Sequence, residues 1–217
     1  MSINREFGFG KISSVAPIMN KLVEQSNAWG IKTIFVSGSS AQPFAYLFKQ
    51  IWIAKYSKPL PHFLALGQSP INHPKWKKRL LLFAQKNPEL KKMPSLVFDE
   101  FAYSGASMRH VRDTVRKAGF VKLKTAILGA SPHVRGRADF VGVKSRIGAY
   151  KSAQEKRVAE YLEIFAGQRR DILQMAKERR NPKTMYAHGE AFNKGKIFLK
   201  DLRANSRATA KRYARKN

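Results

Sequence analysis

Short apolar runs alternate with segments of helical apolar spacing over the first two thirds of the chain. Helical spacing is clearest over residues 14–29, where the apolar positions share one face: Val15, Ile18, Met19, Leu22 and Val23. The same reasoning predicts helices over 43–55, 75–85 and 109–117, and strands over 32–37, 62–67, 95–98, 122–128 and 140–143. Strands that alternate with helices are typical of an α/β protein. We therefore predict an open, mostly parallel sheet flanked by helices.

The pattern changes after about residue 150. Helices are predicted over 153–166 and 171–180, and no strand pattern follows them. The last stretch, 204–217, contains five basic residues and no acidic one, which favours a basic extension that becomes helical on binding. The sequence thus predicts an α/β domain over 1–150 and a basic helical extension over 151–217.

Charge narrows the class of partner. The 217 residues include 42 Lys and Arg against 14 Asp and Glu, a formal net charge of +28. Such an excess points to a polyanionic partner, since it is not needed for small metabolites and repels itself in the folded state. No cysteine is present, which excludes disulfides and thiolate chemistry. No apolar run has the length of a membrane span, so we expect a soluble cytoplasmic protein without membrane association.

One segment carries the clearest chemistry, the run SLVFDEFAYSGAS at 95–107. An apolar strand leads to the adjacent acids Asp99 and Glu100, and a short loop then enters a helix. Ligands of open α/β sheets bind at the carboxyl ends of strands, where two carboxylates can accept hydrogen bonds from sugar hydroxyls. The amides that open the next helix, with Gly105 allowing close approach, form a cup suited to a phosphate. The residues themselves therefore suggest a sugar-phosphate site.

Two acids followed by Ser-Gly-x-Ser resemble the phosphoribosyl-pyrophosphate motif of type I phosphoribosyltransferases. The resemblance implies a divergent member with a basic C-terminal extension, and it implies roles in which Asp99 and Glu100 hold the ribose hydroxyls at the catalytic centre. The same resemblance assigns the 5′-phosphate to the loop that follows, comprising Tyr103, Ser104, Gly105, Ala106 and Ser107. It implies magnesium as cofactor, carried by the substrate and contacted by no protein ligand other than Asp99 and Glu100.

The resemblance extends to both sides of this motif. Upstream, the turn after the first strand occupies the place of the family's pyrophosphate loop, through Ser37, Gly38, Ser39 and Ser40. The same turn is equally explained as a strand-to-helix connection with Ser40 as the N-cap. Downstream, Phe140 would stack on the base and Val141 would contact its edge, although Phe140 fits a core aromatic equally well. Tyr103 stands where purine-salvage members place an Asp general base, so both an active transferase and a non-catalytic relative stay open.

A second hypothesis rests on charge alone. A non-catalytic protein of this fold could bind RNA or DNA, as in a ribonucleoprotein, through basic residues on a predicted helix and in the tail. The residues concerned are Lys75, Lys77, Lys78, Arg79, Arg203, Arg207, Lys211, Arg212, Arg215 and Lys216. The expected partners are thus phosphoribosyl pyrophosphate or a nucleotide, with RNA or DNA as the alternative. A homodimer is compatible with the sequence, which leaves the oligomeric state open.

Overall fold

A computed structural model of the chain describes residues 12–38, 41–66, 74–102, 104–131 and 138–144, together with 207, 208 and 211. The helices in these residues are α1 (Ile12–Ala28), α2 (Gln42–Lys55), α3 (Pro74–Lys86) and α4 (Ala106–Lys117). The strands are β1 (Thr33–Val36), β2 (His62–Ala65), β3 (Ser95–Ala102), β4 (Leu123–Ala130) and β5 (Phe140–Lys144). A short 3₁₀ helix, Pro88–Lys92, leads into β3.

The five strands form one sheet in the order β2-β1-β3-β4-β5, and every neighbouring pair is parallel. Thr33 of β1 is level with His62 of β2 on one side and with Ser95 of β3 on the other. The chain therefore moves outward from β1 in one direction and then returns to continue in the other. The predicted fold class, an open parallel sheet flanked by helices, is confirmed.

Helices cover both faces of the sheet, each with its own apolar core. On one face α1 and α2 pack through buried side chains such as Met19, Leu22 and Phe48. On the other face α3 and α4 pack through Leu80 and Val111, among others. Because both faces are covered, the central strands are apolar on both sides, and all eight residues of β3 are buried. The result is a three-layer arrangement with helices over both faces of the sheet, and in such sheets ligands bind at the strand ends.

The sequence prediction differs from the structure mainly around β3. The strand was expected over 95–98, but it continues through both acids to Ala102 and pairs with β4 along its length. The helix expected from residue 109 begins at Ala106. The helices predicted over 153–166 and 171–180 lie outside the described residues. Among the residues described, none of the helices combines the length and apolar character that crossing a bilayer requires.

Candidate functional site

The carboxyl ends of β1 and β3 lie side by side at the point where the strand order reverses. In open α/β sheets this reversal leaves a crevice where ligands bind, because the connections from the two strands go to opposite sides. Ser37, directly after β1, donates a backbone hydrogen bond to the Phe98 carbonyl at 2.8 Å. Its hydroxyl donates to Oδ2 of Asp99 at 3.2 Å, and this contact is buried. Two residues that the sequence analysis assigned to different loops of one site are therefore in direct contact.

A local irregularity in β3 places its two acids together. Side chains of a regular strand alternate between faces. Phe98 and Phe101 nevertheless belong to the core under α1 and α2, while Val97 and Ala102 both belong to the opposite core. The alternation must therefore slip by one position at Asp99 and Glu100, and Glu100 is the one residue inside β3 without a register partner in β4. At this point the Glu100 amide donates a hydrogen bond to Oδ1 of Asp99 at 3.0 Å.

Both acids are buried, and burial raises the pKa of Asp99. Asp99 is 8% exposed and Glu100 is 4% exposed. Burial, followed by the charge of the Glu100 carboxyl, raises the pKa of Asp99 well above its usual value, and the hydrogen bond from Ser37 offsets only part of this effect. Oε2 of Glu100 is buried without a hydrogen-bond partner. An unsatisfied buried oxygen is costly, which makes this atom the candidate acceptor for a ligand hydroxyl or cation.

The loop after β3 combines a left-handed glycine with the start of a helix. Gly105 has a left-handed backbone (φ 74°) and immediately precedes α4, a conformation that glycine adopts without steric cost. Ser104, Ala106 and Ser107 are exposed around it. The Ser104 hydroxyl accepts a hydrogen bond from the Ala106 amide at 3.3 Å, and the Arg109 side chain donates to the Ser104 carbonyl at 3.2 Å. The start of α4 thus presents backbone amides together with a guanidinium.

The turn after β1 also has the backbone that its sequence indicated. Gly38 is left-handed (φ 82°), so the chain reverses direction there before α2 begins. The N-cap position of α2 is Ala41, which makes no side-chain capping bond. The alternative prediction for this turn, that Ser40 is the N-cap of α2, is therefore wrong, because Ala41 occupies that position. Ser39, Ser40 and Tyr103 of the predicted site lie outside the described residues.

Phe140 and Val141 lie at the start of β5, two strands away from β3. Val141 is level with Ile127 of β4, which is itself level with Asp99. Phe140 is half-buried and packs against the core under α1 and α2, whereas Val141 is 40% exposed. The structure thus keeps Phe140 in the core packing and does not bring it into contact with the acid pair.

Sequence reasoning missed the residue that attaches this strand. Asp139, just before β5, accepts hydrogen bonds from the Thr125 amide at 2.9 Å and from its hydroxyl at 3.0 Å. The Asp139 amide donates back to the Thr125 hydroxyl at 3.2 Å, and the Lys124 ammonium lies 3.0 Å from the other carboxylate oxygen. Burial raises the pKa of Asp139, but the bonds from Lys124 and Thr125 outweigh it and hold this pKa below its usual value. The signal available in the sequence was an acid immediately before a strand.

The basic residues assigned to nucleic-acid binding are described only in part. Lys77, Lys78 and Arg79 are exposed on α3, and Arg207 and Lys211 are exposed near the C-terminus. Of Lys75 only the backbone is described, within α3. The others lie outside the described residues: Arg203, Arg212, Arg215 and Lys216.

The acid pair suits a magnesium ion only if the ligand supplies most of its coordination. In the parts of the chain that the structure describes, no three His, Cys, Asp or Glu side chains come together as a metal site. Magnesium is commonly bound by one or two carboxylates together with substrate phosphates. Asp99 and the unpartnered oxygen of Glu100 are the residues that would hold such an ion.

Comparison with solved structures finds phosphoribosyltransferases. A purine phosphoribosyltransferase from Pyrococcus horikoshii matches with 15% identity and a TM-score of 0.46, covering 61% of this chain and 83% of the other. A hypoxanthine phosphoribosyltransferase from Staphylococcus aureus matches with 11% identity and a TM-score of 0.44, covering 63% and 76%. A hypoxanthine-guanine phosphoribosyltransferase from Bacillus anthracis matches with 14% identity and a TM-score of 0.42, covering 61% and 79%.

At these identities the likeness is one of overall fold, and no residue's role follows from it. No protein-family model matches the chain, and no curated protein matches it. The roles of the candidate residues therefore depend on their geometry and on the motif at 95–107.

Proposed function

We propose that the chain binds phosphoribosyl pyrophosphate together with magnesium in the crevice between β1 and β3. The observation that supports this most directly is the hydrogen bond from Ser37 to Asp99, 3.2 Å long. It joins the turn proposed for the pyrophosphate to the acids proposed for the ribose, although 62 positions separate these residues in the chain. A ligand with a sugar and a pyrophosphate needs both groups within one crevice.

The contacts proposed for the ligand follow from the chemistry of each element. The ribose hydroxyls would hydrogen-bond to the carboxyl groups of Asp99 and Glu100. The unpartnered oxygen of Glu100 would then accept a hydrogen bond from the ligand. The 5′-phosphate would accept hydrogen bonds from the amides that open α4, beside Ser104 and Ser107, and this is where a helix best accommodates an anion. The pyrophosphate would lie over the turn at Gly38, whose backbone approaches without a side chain in the way.

The reaction that this arrangement favours, now or in an ancestor, is transfer of the phosphoribosyl group to a base. The bond between C1 of the ribose and the pyrophosphate oxygen breaks, and pyrophosphate leaves with the electron pair. A ring nitrogen of the base forms the new bond to C1 and loses its proton to solvent water. Magnesium, when bound, supplies charge that stabilises the leaving pyrophosphate. The chain's own contribution is to orient the ribose through Asp99 and Glu100 and to stabilise developing charge with backbone dipoles.

Binding is the decisive test. Isothermal titration of the full chain with phosphoribosyl pyrophosphate and magnesium should give a saturable signal, and Asp99→Asn with Glu100→Gln should abolish it. The matched control is Asp113→Asn, which removes an exposed acid on α4 that pairs with the adjacent Arg112. Thermal unfolding of each variant checks that the fold is retained. No heat from the native chain, or equal affinity in the double variant, would rule the proposal out.

A second candidate, binding of RNA or DNA, is favoured by the composition of one exposed surface. Between Lys75 and Lys92 the only acid is Glu89, and Lys77, Lys78 and Arg79 are exposed in succession on α3. Such a surface would contact the phosphate backbone with little sequence preference. Filter binding of a single-stranded RNA at two salt concentrations tests it, and an affinity that does not fall with salt would argue against it.

A further inference from the structure

One basic residue of the C-terminal region contacts the α/β domain at an informative place. Nε of Arg207 donates a hydrogen bond to the hydroxyl of Tyr46 at 2.9 Å, across 161 positions of the chain. Tyr46 belongs to α2 and is half-buried, while Arg207 is exposed. The charge analysis assigned Arg207 to a nucleic-acid surface, but this contact places it on the helix that follows the candidate pyrophosphate turn.

The position of Tyr46 along α2 places the bonded Arg207 near the first turns of that helix. Each helix here begins at the edge of the sheet where the preceding strand ends, so α2 begins beside Ser37 and Gly38. Tyr46 is the fifth residue of α2, which puts it about 6 Å along the helix axis from its start at about 1.5 Å per residue. Arg207 is therefore held at the same sheet edge as the turn at Gly38.

The local chemistry suits a highly charged anion. Arg207 and Lys211 are both helical and exposed, and they are four positions apart in the sequence. The bond to Tyr46 uses one of the five guanidinium donors. No acid occurs in the sequence between Glu24 and Glu89, so α2 supplies no carboxylate to neutralise these cations. Two cations suit a pyrophosphate, which carries more negative charge and more acceptor oxygens than a single phosphate ester.

We propose that Arg207 and Lys211 bind the pyrophosphate group of the ligand, held in place by the hydrogen bond from Arg207 to Tyr46. This inference rests on the proposed function, because it assigns two more residues to the same site. The basic C-terminal region then serves the crevice directly, as a source of cations for the leaving group beside the turn at Gly38. Tyr46 acts as a positioning residue, since it touches the guanidinium and not the ligand.

Titration of the full chain with inorganic pyrophosphate and magnesium tests this directly. The double variant Arg207→Gln/Lys211→Gln should bind pyrophosphate about tenfold or more weakly, since hydrogen bonds between charged groups are among the stronger ones in proteins. Tyr46→Phe should weaken pyrophosphate binding by a smaller factor. Arg207→Lys should also weaken it less than the double variant does, because the positive charge at position 207 is kept. The control is Lys58→Gln/Lys86→Gln, which lowers net charge equally at two exposed positions, one just after α2 and one at the last residue of α3, at the opposite edge of the sheet.

The outcomes separate this inference from the proposed function. An equal affinity for pyrophosphate in the double variant and its control overturns the inference. If that happens while the variant with both Asp99→Asn and Glu100→Gln still fails to bind the sugar pyrophosphate, the proposed function stands without it. If the double variant loses affinity for single-stranded RNA but keeps its affinity for pyrophosphate, Arg207 and Lys211 belong to a nucleic-acid surface instead. A native chain that binds neither pyrophosphate nor the sugar pyrophosphate removes both proposals.

Discussion

The hydrogen bonds between Asp139 and β4 should make a measurable contribution to stability, and Asp139→Ala removes them without touching the core. The substitution deletes the acceptor for the Thr125 amide, the Thr125 hydroxyl and the Lys124 ammonium. These are the contacts by which the entry to β5 is attached to its neighbour. Because β5 is the last strand in the sheet order, nothing on its far side in the described sheet compensates for their loss.

The expected cost can be estimated bond by bond. The two Thr125 groups are buried or nearly so, and each bond they donate should contribute about 1 kcal/mol. The Lys124 pair is partly exposed on both sides, 43% and 32%, so solvent screening leaves it about 0.5 kcal/mol or less. We expect a loss of about 2 kcal/mol in the free energy of unfolding. For a chain of this size that corresponds to roughly 4–8 °C in the melting temperature.

The same bonds set a pH dependence. Since the pKa of Asp139 is lower in the folded state than in the unfolded state, its contribution is fully present above the unfolded-state value of about 3.9. The contribution is lost as the pH falls through the folded-state pKa. The difference in stability between the native chain and Asp139→Ala should therefore be largest near neutral pH and shrink in acid.

Urea unfolding followed by circular dichroism at neutral and at acidic pH measures both effects. Asp113→Ala is the control, because it removes an exposed acid whose ion-pair partner is the adjacent Arg112, and should change stability by about 0.5 kcal/mol or less. The reasoning is refuted if Asp139→Ala is as stable as this control at neutral pH. It is refuted as well if the difference persists undiminished in acid.

Three further predictions follow from particular residues. Asp99→Asn should melt at a higher temperature than the native chain at pH 8, and this advantage should shrink toward pH 4. The reason is that burial raises the pKa of the Asp99 carboxyl, so the folded state loses stability as the pH rises through this folded-state pKa. A lower melting temperature of the variant at pH 8, measured by scanning calorimetry, would contradict this prediction. Gly142→Ala should cost about 1–3 kcal/mol, because the added carbon would lie 2.3 Å from Ile18 Cγ2 and 2.6 Å from the Leu128 carbonyl oxygen; an unchanged urea midpoint would disprove the clash. Removal of 204–217 should reduce the salt dependence of any RNA affinity, and an identical slope in the truncated chain would exclude a role for this segment.

The class of fold was predictable because its signal is local. Apolar runs separated by helical spacing identify strands and helices one at a time, and parallel pairing follows from their alternation. The length of β3 was not predicted, because two charged residues normally end a buried strand. Here Phe101 and Ala102 continue the apolar pattern beyond the acids and pair with Gly129 and Ala130, which carries the strand through them.

The candidate site was predictable in its residue types but not in its contacts. The motif at 95–107 identifies the acids, and the turn at Gly38 identifies a second loop, yet no local pattern says that β1 and β3 are neighbours. That adjacency decides whether Ser37 meets Asp99, and it depends on how the helices distribute between the two faces of the sheet. The hydrogen bonds of Asp139 were not predicted for a similar reason. Their partner Thr125 lies on a different strand, and nothing in the sequence around Thr125 indicates that it bonds to Asp139.

The position of β1 between β2 and β3 has a consequence for how the chain is made. As the protein leaves the ribosome, β1 and α2 are complete long before β3 exists, and only the pairing with β2 is available to them. Contacts between distant parts of a chain form slowly, because the entropy of closing a long loop is lost before these contacts stabilise the fold. We therefore expect the crevice to be among the late-forming parts of the nascent domain, because Ser37 can bond to Asp99 only after 62 further codons have been translated.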